Sequence, residues 1–170
     1  VNKDCVIYNT VKDGEYCSVV QTLTGMVLRY LEVPVYDIDV DGRRVLSLNF
    51  SRLQRLRPSY GYSVISEKVD SVDIPNNDGV WLYDAITFNR ELLFSLEYVA
   101  SIQSVATMEG AEHYINHLSW SVTGKNFLFF HIWRKNGKRY TRVLTSASDG
   151  SDLNVLISGS ASQYLSLKHM

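Results

Sequence analysis

Proline and cysteine are both scarce, with three and two residues in a chain of 170. Two cysteines cannot build a disulfide framework. If Asp13-Gly14 closes a hairpin, Cys17 faces Thr10 rather than Cys5, so no Cys5–Cys17 bridge is expected. Free thiols suit a reducing compartment, which favours the cytoplasm, with the periplasm as the alternative. No apolar run approaches the ~20 residues that span a bilayer, so no membrane partner is expected. The net charge of −1 argues against a dedicated nucleic-acid binder, which would be basic. There is no Gly-x-Ser-x-Gly elbow, no phosphate-cradling glycine loop and no Cys-x-x-Cys pair. No signal peptide precedes the first strand-like run, Cys5-Val6-Ile7-Tyr8, an absence without weight in a chain that starts at Val1.

What is present points to β structure. Eleven tyrosines and 45% hydrophobic residues accompany the low proline content. Residues 4–11 and 16–21 read as strands around Asp13-Gly14, and 26–31 run back after Gly25. A fresh strand starts at Val33-Pro34-Val35, where proline needs no ladder bond. It turns at Asp41-Gly42 into residues 44–50, which are apolar on both faces. Residues 80–85 and 91–96 make two more strands. The hairpin His117–Arg134 turns at Thr123-Gly124, and 139–147 and 153–157 follow. Residues 163–167 would begin another strand. Two long connections stand out. Residues 51–77 are polar and irregular, with a short strand possible at 60–66, and segments of that length are often functional. Residues 97–116 would hold a short helix from Ala106 to Asn116.

The strands fall into meanders of three, four and four. The turn glycines Gly42 and Gly124 lie 82 residues apart. This fits either two repeats of blade length or one four-strand unit enlarged by its connections, and the strand signals support the second. Repeated four-stranded antiparallel meanders predict an all-β propeller. The expected units are 4–31, 33–96 with the insertion 51–77, and 117–157 after the connection 97–116, too few to close a ring. A β-sandwich of similar strand count is the competing architecture.

In an antiparallel hairpin the start of the first strand lies beside the end of the second. His117 should therefore neighbour His131, Trp133 and Arg134, and Tyr36 should neighbour Asn49 and Arg52. Both long connections leave from that edge. Arg52, Arg55, Arg57, Tyr60, Tyr62, His113, His117, His131 and Arg134 are expected to gather there. Arginine forks bind carboxylates and phosphates, and tyrosines offer flat area with a polar tip. Together with Trp133 as a stacking platform, these residues suit an acidic oligosaccharide or polysaccharide. The competing reading pairs the arginines with acids of the connections and packs the tyrosines as loop anchors. Phe127, Phe129, His131 and Trp133 also alternate as one buried strand face would. On a helix Glu109, His113 and His117 would share a face, a donor set suited to a divalent metal.

The strings His-Leu-Ser-Trp-Ser-Val-Thr-Gly-Lys-Asn-Phe-Leu-Phe-Phe and Val-Leu-Thr-Ser-Ala-Ser-Asp-Gly-Ser-Asp-Leu resemble a bacterial propeller repeat that pairs a Ser-aromatic-Ser-Pro-Asp-Gly hairpin with a later Asp-Gly-Ser/Thr turn. The resemblance covers roughly residues 34–157. The relatives of that repeat include oligogalacturonate lyase, and similar propellers accompany polysaccharide biosynthesis. The resemblance implies a glycan-associated propeller, or alternatively β-elimination on uronides. The lyase metal pattern Gln-x-x-His-x-His falls here on Glu112, Ile115 and His117. Glu112, His113 and His117 are therefore the candidate metal ligands. A scaffold that binds a protein partner, or the missing blades of the same propeller, is the third expectation.

Overall fold

Two turns in this chain close in the same way. Around Gly42, the Asp39 N–H bonds the Arg44 carbonyl and the Gly42 N–H bonds the Asp39 carbonyl. Eighty-two residues later Ser121 bonds Asn126 and Gly124 bonds Ser121 in the same pattern. Both glycines hold φ near +66°, the left-handed conformation that glycine adopts at no steric cost. The two turns also touch. Arg44 Nη2 donates to the Gly124 carbonyl at 2.8 Å, and its guanidinium lies over the Trp120 ring.

The structure is a computed structural model and describes residues 4–67 and 72–158. It is all-β, with three antiparallel sheets. The first contains β1 (Cys5–Lys12), β2 (Glu15–Thr22) and β3 (Val27–Leu31). The second contains β4 (Asp37–Ile38), β5 (Arg44–Ser47), β6 (Gly79–Asp84) and β7 (Arg90–Ser95). The third contains β8 (Glu112–Trp120), β9 (Asn126–Lys135), β10 (Lys138–Ala147) and β11 (Asn154–Ile157). Within each sheet spatial order follows chain order, so each is a meander. Cys17 pairs with Thr10 and Cys5 with Thr22, and both thiols are free.

The second sheet lies between the other two. Val45 and Leu46 are adjacent in β5 and point to opposite faces, as strand geometry requires. Val45 packs with Val20, Leu31 and Tyr83 toward the first sheet. Leu46 packs with Phe94, Ile115, Phe127 and Phe129 toward the third. Phe94 sets its ring 6.0 Å from Phe129 and 6.4 Å from Phe127.

The connections depart from expectation. Residues 51–77 open with helix α1 (Phe50–Leu56), not with irregular chain. Asn49 caps it by accepting from Arg52 N–H, and Phe50, Leu53 and Leu56 form its buried stripe. No strand forms at 60–66. Instead the chain folds back onto α1, with Tyr62 N–H bonded to the Phe50 carbonyl. Gly61 lies so close that a Cβ would sit 2.2 Å from that oxygen. The second connection holds helix α2 (Leu96–Ser101), capped by Ser95. The helix expected at 106–116 is replaced from Glu112 onward by β8, so Glu109, His113 and His117 do not share a helical face. β8 thus starts five residues before His117. It bulges between Asn116 and Ser119, with His117 at φ +50°. Tyr36 bonds Leu46 rather than neighbouring Asn49 and Arg52, because those two have left the strand for α1. The expected strand at 163–167 lies outside the described residues. Among the described residues no helix is long and apolar enough to cross a membrane.

Gly124→Ala should destabilise the protein by about 1–2 kcal/mol, the cost of a left-handed L-residue. The added Cβ would also press within 3.2 Å of Arg44 Nη2. Urea denaturation measures the loss, and an unchanged midpoint would refute the role given to this turn.

Candidate functional site

Helix α1 presents three arginines, and each has a different fate. Arg52 is 2% exposed, and its guanidinium is fully engaged. Its Nε donates to the His113 carbonyl at 2.6 Å and its Nη2 to the Asp73 carbonyl at 2.6 Å. Its Nη1 bonds the Glu67 carboxylate at 2.9 Å and the Val72 carbonyl at 3.1 Å. Asp73 in turn accepts from His113 N–H. The outer edge of β8 is therefore closed by one guanidinium and a strip of connection. Arg55 bridges Glu67 and Glu112 at the surface. Neither arginine keeps charge available for a ligand.

Tyr62 is likewise committed to packing. Its ring stacks 4.4 Å from Phe50, and its hydroxyl accepts from Asn9 Nδ2. Trp133 is 1% exposed, stacks on Tyr140 and donates its indole N–H to Thr107. Phe127, Phe129, His131 and Trp133 all lie buried, as their alternation predicts. The expected convergence on one rim therefore divides: Arg52, His131 and Trp133 are interior, and Tyr62 is half-buried against Phe50.

His131 and His113 belong to a buried chain of hydrogen bonds with one direction. Arg142 Nε donates to His131 Nδ1 at 3.0 Å. A guanidinium only donates, so Nδ1 accepts and the proton sits on His131 Nε2. That nitrogen lies 2.7 Å from His113 Nδ1. His113 Nε2–H then ends on the Met108 carbonyl at 3.1 Å. Arg142 also caps α2 through the carbonyls of Val99 and Ile102. Burial pushes Arg142 down to about 10. Burial, then the neighbouring positive charge, holds both imidazoles below their ordinary range, His131 most. Both histidines are neutral structural links between the third sheet and the loop after α2.

The three residues expected to hold a metal are dispersed. Glu112 is engaged by Arg55, His113 faces His131, and His117 is exposed on the bulge with its ring against Phe130. Among the described residues no group of three His, Cys, Asp or Glu side chains could hold a metal ion.

The third arginine of this region differs. Arg57 caps the end of α1 and lays its guanidinium 3.9 Å over the exposed ring of Tyr60. Arg134 leaves β9 beside it and donates to the Leu56 carbonyl at the helix C-terminus. Arg139 of β10 sits directly across from Arg134 in the ladder. Among the described residues none of these three arginines pairs with a carboxylate. Tyr114 lies in the field of Arg139, Arg57 and Arg134, with burial pushing its phenol up. Tyr60 is pulled down, by Arg57 and then Arg139. Arg57, Tyr60 and Arg134 are thus the sequence candidates that the structure brings together at the surface. Arg139 and Tyr114 carry no motif; Arg139 is found only through the β9–β10 register and Tyr114 through the β8–β9 register.

A cleft of about 470 Å³ lies elsewhere, between α2 and residues 104–109. Its lining includes Glu97 and Glu109 with Ile74, Val105 and Met108, and no basic side chain. Comparison with protein-family models, curated proteins and solved structures finds no match.

Arg52→Met should cost about 3–5 kcal/mol, because the buried Glu67 carboxylate loses its inner partner. Urea titration against wild type checks this. The histidine chain predicts a pH effect. Below about pH 6.5 the unfolded imidazoles take up protons that the folded ones refuse. Stability should be complete above that pH and fall steadily toward pH 5. Carboxylates held low, such as Asp84 at about 2, lose their contribution only in more acid solution. Equal unfolding free energies at pH 7.5 and 5.5 would contradict the assignment.

Proposed function

We propose that this chain binds an acidic saccharide at the edge formed by the C-terminus of α1 and the β9–β10 ladder. One observation carries the reading. Arg134 and Arg139 stand directly opposite each other across two strands, with Arg57 at the adjoining end of α1; among the described residues none of the three forms an ion pair, and Glu112, across from Arg134 on its other side, is held by Arg55. Like charges at facing ladder positions destabilise a sheet. An anion between them relieves that repulsion, and arginine forks suit a carboxylate better than a point charge does. The exposed face of Tyr60 supplies a flat surface for a sugar ring. The cleft beside α2 is unsuited to the same ligand, because its two glutamates would repel it.

The same reading takes the three meanders as consecutive blades of an incomplete propeller. It is supported by the matching turns at Gly42 and Gly124 and by the stacking of each sheet on the next. A second reading, β-elimination on a uronide, is favoured by Tyr60. Its exposed phenol lies beside the Arg57 guanidinium, which holds it below its ordinary range. Appearance of ultraviolet-absorbing unsaturated product from polygalacturonate distinguishes turnover from binding.

Isothermal titration should show saturable binding of digalacturonate and none of neutral digalactose. Arg134→Ala or Arg139→Ala should each weaken it about tenfold or more, the worth of one hydrogen bond to a charged group. Added salt should weaken it further. Equal binding of the neutral and acidic sugars would refute the proposal.

A further inference from the structure

Two of the buried side-chain atoms that lack a hydrogen-bond partner fall at this one edge: Arg57 Nε and Tyr114 Oη. Tyr114 is 1% exposed, and its hydroxyl proton finds no acceptor; the side chain close enough to donate to its oxygen is that of Arg57. A buried donor left unpaired is a standing cost to the fold. Phenylalanine would fill the same space without it. The charges that act on the hydroxyl are those of Arg139, Arg57 and Arg134. Cations offer a phenol no acceptor for its proton. The chemistry missing here is an acceptor of negative charge. The Arg57 guanidinium lies on the Tyr60 ring through its cation–π contact and meets no carboxylate among the described residues.

We propose that Tyr114 is the specificity-determining residue of this edge, its hydroxyl donating to a carboxylate oxygen that Arg57 and Arg139 draw in. This rests on the acidic-saccharide reading above. Because the hydroxyl is covered, the carboxylate reaches it only as the Arg57 side chain lifts from the Tyr60 ring. The site is thereby closed to ligands too weakly charged to move Arg57. No bond is made or broken; the phenol keeps its proton and shares it. A carboxylate matches this arrangement because one of its oxygens takes the phenol proton while the other accepts from arginine.

The test is Tyr114→Phe, which removes one oxygen and keeps the ring. Calorimetry with digalacturonate should show binding about 10- to 100-fold weaker, the range for a lost hydrogen bond to a charged group. The melting temperature of the variant should be unchanged or higher, since an unpaired buried hydroxyl is gone. A merely structural tyrosine would not combine weaker binding with equal or greater stability. Inorganic phosphate, titrated in parallel, separates carboxylate recognition from general anion attraction; it should respond to Arg139→Ala and much less to Tyr114→Phe. If wild type binds digalacturonate and Tyr114→Phe binds it equally, the role of Tyr114 is overturned and the saccharide reading survives. If wild type binds no digalacturonate, both fall together.

Discussion

The guanidinium of Arg52 is the interaction on which the arrangement of this end of the molecule depends. It satisfies the carbonyls of His113, Val72 and Asp73 while pairing with the buried Glu67. Without it the edge of β8 would carry backbone acceptors with no donor, and a buried carboxylate would lose its inner cation. By pinning α1 against β8 it fixes where the helix ends. The end of α1 brings Arg57 and the Leu56 carbonyl beside Arg134. The surface site is therefore a consequence of an interior contact, several residues upstream of the groups that face a ligand.

The same residue type serves opposite purposes across a short distance. Arg52, Arg55 and Arg142 are neutralised or saturated by carbonyls, carboxylates and a helix terminus. Arg57, Arg134 and Arg139 form no ion pair among the described residues, although Arg134 gives one N–H to the Leu56 carbonyl. The difference is one of partners, not of sequence context: Arg52, Arg55 and Arg57 lie within six positions on one helical turn and a half. A second interior network, running from Arg142 through the two histidines to Met108, ties the loop after α2 to the third sheet. It uses the residues that looked most like metal ligands as directional hydrogen-bond links.

Much of the β framework was legible before the structure. Asp-Gly and Thr-Gly turns flanked by β-branched and aromatic runs gave strands in groups of three, four and four, with the Cys17–Thr10 register. The alternation Phe127, Phe129, His131, Trp133 gave a buried face, and all four are interior. The helices were not legible in the same way. The stripe Phe50, Leu53, Leu56 is one and a half turns long and is masked by arginine and glutamine between its members. Residues 112–116 were drawn toward a helix by the alanine, methionine and glutamate before them, yet pairing with β9 overrides that local preference. Tyr62 and Trp133 read as ligand contacts because an aromatic in sequence does not say which side of it is water.

By itself the sequence determined what local chemistry can determine: where the chain turns, which segments extend, and which face of the strand through Phe127, Phe129, His131 and Trp133 is buried. Turn geometry and strand alternation are set by neighbours a few residues away, so they survive without knowledge of the fold. The tertiary structure alone decided which of those charges were consumed. Whether an arginine meets Glu67 or a helix carbonyl depends on contacts between residues 12 to 78 positions apart, from Arg55 with Glu67 to Arg134 with Leu56. A charge has the same sequence letter in either case; its partner, and so its availability to a ligand, is a property of the packed chain.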